Sequence, residues 1–146
     1  MGDNEDSNMN PDTAMRLGVI EGFIAAWNAR DRDAIAAAIR SDAKVSGAAY
    51  PAVTGPEEAI ALSEPFLAAD EIDWCITDWA VRGRTVFAQR IDRFRYGAHP
   101  WIVIPATGVF EVDDDGMIAR WHDYFDAQEI EEFLDKKQDG TLAGEK

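Results

Sequence analysis

Apolar residues recur at helical spacing in the first half of the chain and at alternate positions in the second. Leu17, Ile20, Phe23, Ile24 and Trp27 fall three or four apart, which predicts a helix over 13–29 capped by Asp12 or Thr13. Asn28-Ala29-Arg30-Asp31 interrupts the stripe, and an Ala-rich helix is predicted over 32–39. A short strand at 43–46 leads into a loop over 47–54 marked by Pro51. Gly55-Pro56-Glu57-Glu58 opens a third helix, running to about residue 68, with proline in its first turn and acids where the helix dipole favours them.

From Glu71 onward the period is two. Strands rich in β-branched and aromatic residues are predicted over 72–81, 85–96, 101–112 and 117–125. Arg82-Gly83-Arg84, Gly97-Ala98-His99-Pro100 and Asp113-Asp114-Asp115-Gly116 mark the turns, the last a hairpin signal because Asp-Gly accepts positive φ. A closing helix is predicted over 127–137. Helices first and strands afterwards predict an α+β fold: a curved antiparallel or mixed sheet wrapped by N-terminal helices, cone-shaped around an internal pocket. The expected organisation is a disordered acidic tail over 1–12, one domain over 13–137 and a polar tail over 138–146. A chain of 146 residues carries one core of this kind.

Composition narrows the function classes. Apolar residues make up 47% of the chain, with five Trp and seven Phe, so a packed core is expected rather than disorder. No apolar run approaches the ~20 residues of a membrane span. The opening MGDNEDSNMNPD has neither cation nor apolar stretch, unlike a secretory signal, and Asp6 stands where a myristoylation motif needs a hydroxyl. A cytoplasmic location is expected. A net charge of −14 argues against nucleic acid and anionic membrane partners and disfavours anionic substrates. The single Cys75 leaves no internal disulfide and is expected to be a small half-buried strand residue. His99 belongs to an exposed turn, and the scattered acids and two histidines show no metal-ligand spacing, so no metal is predicted.

Strand alternation picks out the candidate chemistry. One face of 85–96 carries Val86, Ala88, Arg90, Asp92 and Phe94, an apolar set interrupted by a cation and an acid. One face of 117–125 carries Met117, Ala119, Trp121, Asp123 and Phe125, again with a lone carboxylate; His122 takes the opposite face, as a surface or interface residue. Unpaired buried charge is costly, so Arg90, Asp92 and Asp123 are expected to pair. Two crowded carboxylates raise the pKa of one, leaving an acid beside a base. A structural Arg–Asp bridge with Asp123 partly solvated at a strand end satisfies the same pattern.

Gln89-Arg90-Ile91-Asp92, Gly108-Val109-Phe110 and Trp121-His122-Asp123-Tyr124-Phe125-Asp126 together resemble the limonene-1,2-epoxide hydrolase family, of the cone fold shared with nuclear transport factor 2 and ketosteroid isomerase. The resemblance runs from about Met15 to Phe133. It implies that Asp123 is the general base taking a proton from water, that Asp92 is the acid protonating an epoxide oxygen, and that Arg90 holds both. Trp121 and Phe125 beside Asp123, with Tyr50, Trp27 and Phe94, are the expected substrate-binding residues; Trp27, Trp74, Trp101 and Trp121 are core candidates first and substrate-contacting walls second. In place of the family's water-holding Tyr and Asn stand Val45 and Gly47, whose side chains form no hydrogen bonds; Ser46 and Tyr50 lie nearby. The expected activity is cofactor-free hydrolysis of a hydrophobic epoxide to a vicinal diol. An isomerase or cyclase shuttling protons through the Asp pair is the alternative, and a non-catalytic small-molecule binding module is another. A homodimer is expected through the outer sheet face, where Phe87, Ile91, Val103 and Val109 offer apolar cover.

Overall fold

The structure, a computed structural model, describes residues 9–48 and 50–138, so the expected tails lie largely outside the described residues. Helix α1 spans Pro11–Asn28 and starts two residues earlier than the pattern predicts, because Asn10 rather than Asp12 or Thr13 is the cap: its side chain accepts from Thr13 N at 2.8 Å. Its buried stripe is the predicted Leu17, Ile20, Phe23, Ile24 and Trp27, joined by Arg16. Arg16 is tolerated there because Nε donates to Val112 O at 2.9 Å and Nη2 to Asp114 at 2.6 Å. A short helix α2, Arg32–Ala37, is capped by Asp31 and buries Ile35.

Strand β1, Ile39–Gly47, is more than twice the predicted length, and the expected loop after it contains a short strand β2, Val53–Thr54. Helix α3 follows at Gly55–Leu67 and carries Pro65 within it. The meander is β3 (Glu71–Arg82), β4 (Thr85–Arg95), β5 (Ile102–Val112) and β6 (Ile118–Phe125), and helix α4 closes at Ala127–Gln138. The Asp113–Gly116 turn forms as predicted: Gly116 takes φ +82°, and Asp113 Oδ1 accepts from both Asp115 N and Met117 N.

The six strands make one curved, open, mixed sheet in the order β2-β1-β6-β5-β4-β3. Every neighbouring pair is antiparallel except β1 and β6, which run parallel and place Gly47 beside Asp123. α1 lies against β3 and β4, and α3 against β1 and β2, so the helices cover the concave face. The core sits between: Ile20, Phe23, Trp27, Val86, Phe110 and Ile118 are all buried there. No helix among the described residues is long and apolar enough to cross a membrane.

Three expectations are corrected. β6 carries a register irregularity where it meets Glu111 and Val112, so Ile118 is buried and the predicted inner face holds only from Trp121 onward. Met117 and Ala119 therefore do not share the Trp121–Asp123 row in full burial. Cys75 is exposed rather than half-buried, because its neighbours Ile72 and Trp74 set the inward row one position away. Trp101 precedes β5 and is 41% exposed instead of core, its ring flanked by the guanidinium groups of Arg93 and Arg95.

Candidate active site

Two adjacent antiparallel strands and the strand beyond them build the site. β4 directs Arg90 and Asp92 onto the concave face, and β6 directs Asp123 onto it from across β5. Arg90 is 0% exposed and forks both ways. Nε and Nη2 donate to the two oxygens of Asp92 at 3.0 and 2.8 Å, while Nη1 and Nη2 donate to those of Asp123 at 3.1 and 2.9 Å. The planar guanidinium thus holds two carboxylates in a fixed relative position, which a lysine point charge does not do.

The approach depends on a residue between them. Gly108 of β5 pairs with both Ala88 and Asp123, and a Cβ there would lie 2.6 Å from Arg90 Nη1 and 2.9 Å from Asp123 Oδ1. Any side chain at this position displaces the ion pair. Two aromatic rings complete the setting: Trp121 Nε1 donates to Asp123 Oδ1 at 2.6 Å, and the Arg90 guanidinium lies 4.5 Å from the centre of the Trp74 ring.

The carboxylates differ in surroundings. The Asp92 side chain is 7% exposed, whereas that of Asp123 retains 13%. Burial pushes the Asp92 carboxyl up to about 6; the Arg90 charge opposes this and the Asp123 charge adds to it. Burial works against the Arg90 charge as well, but the two carboxylates outweigh it and the guanidinium stays protonated. An acid near neutrality and a second carboxylate are therefore held by one cation.

Asp92 and Asp123 open into a cavity of about 190 Å³ with a mostly aliphatic and aromatic wall. Trp27, Tyr50, Phe94, Trp121 and Phe125 all line it, so the structure brings the five expected substrate-binding residues to one cavity with the two acids. Trp74, a core candidate from the sequence, lines it as well, and so do Leu62 and Phe66 of α3, which carried no signal in the sequence. At the positions of the family's Tyr and Asn, Val45 and Gly47 face the same cavity. The Phe125 ring occupies the space a side chain at Gly47 would need, 2.9 Å from an added Cβ. The Ser46 hydroxyl does not replace them, because it is engaged by His122 Nδ1. The Tyr50 hydroxyl is buried with no partner among the described residues. Among those residues no three His, Cys, Asp or Glu side chains group to hold a metal ion.

A family model described as "Limonene-1,2-epoxide hydrolase catalytic domain" matches residues 14–135. No curated protein matches the sequence. Among solved structures, an LEH-like epoxide hydrolase from M. tuberculosis is 25% identical with a TM-score of 0.72, covering 90% of this chain and 98% of its own. A putative SnoaL-like polyketide cyclase from Jannaschia sp. CCS1 is 14% identical with a TM-score of 0.74, covering 95% and 99%. The epoxide hydrolase/cyclase-like enzyme SalBIII, of pyran ring formation in the polyether salinomycin, is 16% identical with a TM-score of 0.72, covering 81% and 95%. The last two identities speak to the fold.

Proposed function

The chain belongs to the limonene-1,2-epoxide hydrolase family, and from that premise we propose that it adds water to the epoxide of a hydrophobic small molecule, giving a vicinal diol. One observation carries this reading: Arg90 holds Asp92 and Asp123 together, at 2.8–3.1 Å, in the wall of an apolar cavity. Asp123, the more exposed carboxylate, accepts a proton from water as the water oxygen bonds to a ring carbon. The epoxide C–O bond breaks, and Asp92 donates its proton to the departing oxygen. One proton enters the cluster and one leaves it, so the cluster charge is unchanged and only the proton's position must be reset. Strain in the three-membered ring drives the step, and no cofactor is required. Charge develops beside a fixed guanidinium in a site largely shielded from water, where such stabilisation is strongest.

A second reading has a specific observation behind it. Val45 and Gly47 offer no side-chain hydrogen bond to an attacking water, and the Phe125 ring fills the space beside Gly47. A hydroxyl of the substrate itself is then the nucleophile, and the same Asp pair makes a cyclase.

Turnover of candidate epoxides in ¹⁸O-labelled water separates the readings. Hydrolysis yields a diol carrying one ¹⁸O, whereas cyclisation yields an unlabelled product of the substrate's own mass. An epoxide panel, including hydroxy-epoxides, that is bound but left unchanged ends both. We also propose a homodimer formed through the outer sheet face, where Phe87 and Val103 are 40% and 48% exposed beside Ile91 and Val109.

A further inference from the structure

Trp27 of α1 and Trp74 of β3 stack face to face, their ring centroids 4.3 Å apart and their planes 14° from parallel. Both line the cavity and both are more than nine-tenths buried. Neither indole N–H has an acceptor among the described residues. Trp121 shows what an indole in this wall does when an acceptor is available: its N–H is taken by Asp123. Buried donors without acceptors are disfavoured, and a hydrophobic wall is built more simply from phenylalanine. The stacking of two such donors at one place in the lining makes their joint lack of a partner more than a local packing accident.

Trp74 lies directly across from Asp92 in the strand register, so the pair sits beside the acid of the cluster. In the reading given above, the epoxide oxygen belongs to Asp92. The N–H groups of Trp27 and Trp74 then remain without an acceptor in the same cavity, and a second ligand oxygen would supply one. We propose that the Trp27–Trp74 pair is a hydrogen-bond donor site for a ligand oxygen, and that the substrate is accordingly an oxygenated molecule with a carbonyl, hydroxyl or ether oxygen besides its epoxide. The inference rests on the pocket being a substrate pocket, and it deepens that reading by naming the substrate class. Sites built to donate to a substrate oxygen discriminate strongly against analogues lacking it, whereas apolar walls discriminate weakly.

The test is a titration of ¹⁵N-labelled protein with menthone and with p-menthane, a ketone and a hydrocarbon of one skeleton that differ in the acceptor. The Trp27 and Trp74 indole signals are identified by their loss in Trp27→Phe and Trp74→Phe. Menthone is expected to move both indole protons downfield and to bind at least about tenfold more tightly than p-menthane. In Trp74→Phe that preference is expected to fall toward unity. The affinity ratio in the native protein needs no variant, so a variant that fails to fold does not remove the test. Equal affinities, bound menthone with unshifted indole protons, or binding of neither compound overturns the proposal. Diol formation is measured separately. Indole shifts with no epoxide turned over leave the donor pair standing and remove the hydrolase; diol formation with unshifted indoles does the reverse.

Discussion

Asp92 and Asp123 are the same residue type on the same guanidinium, and burial is what separates them. Because Asp92 is raised from 3.8 to about 6, activity that depends on its proton is expected to decline as pH rises above about 6, visible as a falling limb in kcat/KM. Asp92→Asn and Asp123→Asn keep the shape, and each is expected to lower turnover by about 10²–10⁴-fold; near-native rates in both would make the cluster structural. The same group affects stability with a definite sign. The folded protein binds this proton more tightly than the unfolded chain does, so its stabilising contribution is complete below pH 3.8 and is lost as pH climbs through about 6. The melting temperature of the native protein minus that of Asp92→Asn is therefore expected to decrease from pH 4 to pH 7. Gly108→Ala places a methyl 2.6 Å from Arg90 Nη1 and from the Phe110 ring. A cost of about 1–3 kcal/mol in thermal unfolding and a loss of turnover are expected, since the guanidinium must shift to relieve the clash. Arg90 and the two acids were legible because charges at inward parity in apolar strands demand a partner. Gly108 was legible only as part of a motif, because what it makes room for lies on two other strands.

At the scale of elements, periodicity located the helices and strands well and their junctions less well. β6 shows why: an irregularity at its start moves Ile118 onto the buried face, and a strict period of two misplaces the residues before it. β1 is longer than its sequence suggests because pairing with β6 extends it, a tertiary effect that no local pattern contains. Asn28 reads in sequence as the residue that ends α1, and it does more than that. Its Oδ1 accepts from Trp74 N at 2.7 Å and its Nδ2 donates to Trp74 O at 3.1 Å, so one side chain completes the free edge of β3. This fixes the helix end against the strand that presents Trp74 to the cavity. Asn28→Ala leaves two backbone groups of the edge strand unpaired, and a destabilisation of about 1–3 kcal/mol by denaturant unfolding is expected. An unchanged midpoint would show that solvent serves these groups equally well.

The whole molecule has a wet side and an apolar side that do not coincide with its charge. With −14 overall, the surface repels copies of itself and other anions, yet the convex sheet face exposes Phe87, Val103 and Tyr124. A paired face resolves the conflict if the acids lie around it rather than on it. Light scattering at micromolar concentration is expected to give twice the chain mass, and Val103→Arg is expected to shift it toward the single chain. A native monomer with that face accessible to solvent would end the dimer proposal. The outward parity of these residues was legible from sequence, whereas nothing in a single chain's periodicity distinguishes a face awaiting a partner from one left to water.

The lone parallel pairing in the sheet also governs when the site comes into being. β3 to β6 are joined by short turns, so their contacts are local and close quickly, whereas β1 meets β6 only after almost the entire chain between them has been ordered. During synthesis β1 leaves the ribosome long before its partner exists, with only the two-residue β2 to pair with. The Arg90–Asp92–Asp123 cluster, carried by β4 and β6, thus belongs to the early meander, whereas the cavity wall at Val45 and Gly47 is added in the late event. Pulsed hydrogen exchange during refolding would register it as amide protection arising in the meander first and in Ala43–Gly47 last, so that the charged cluster is set before the cavity that shields it is closed.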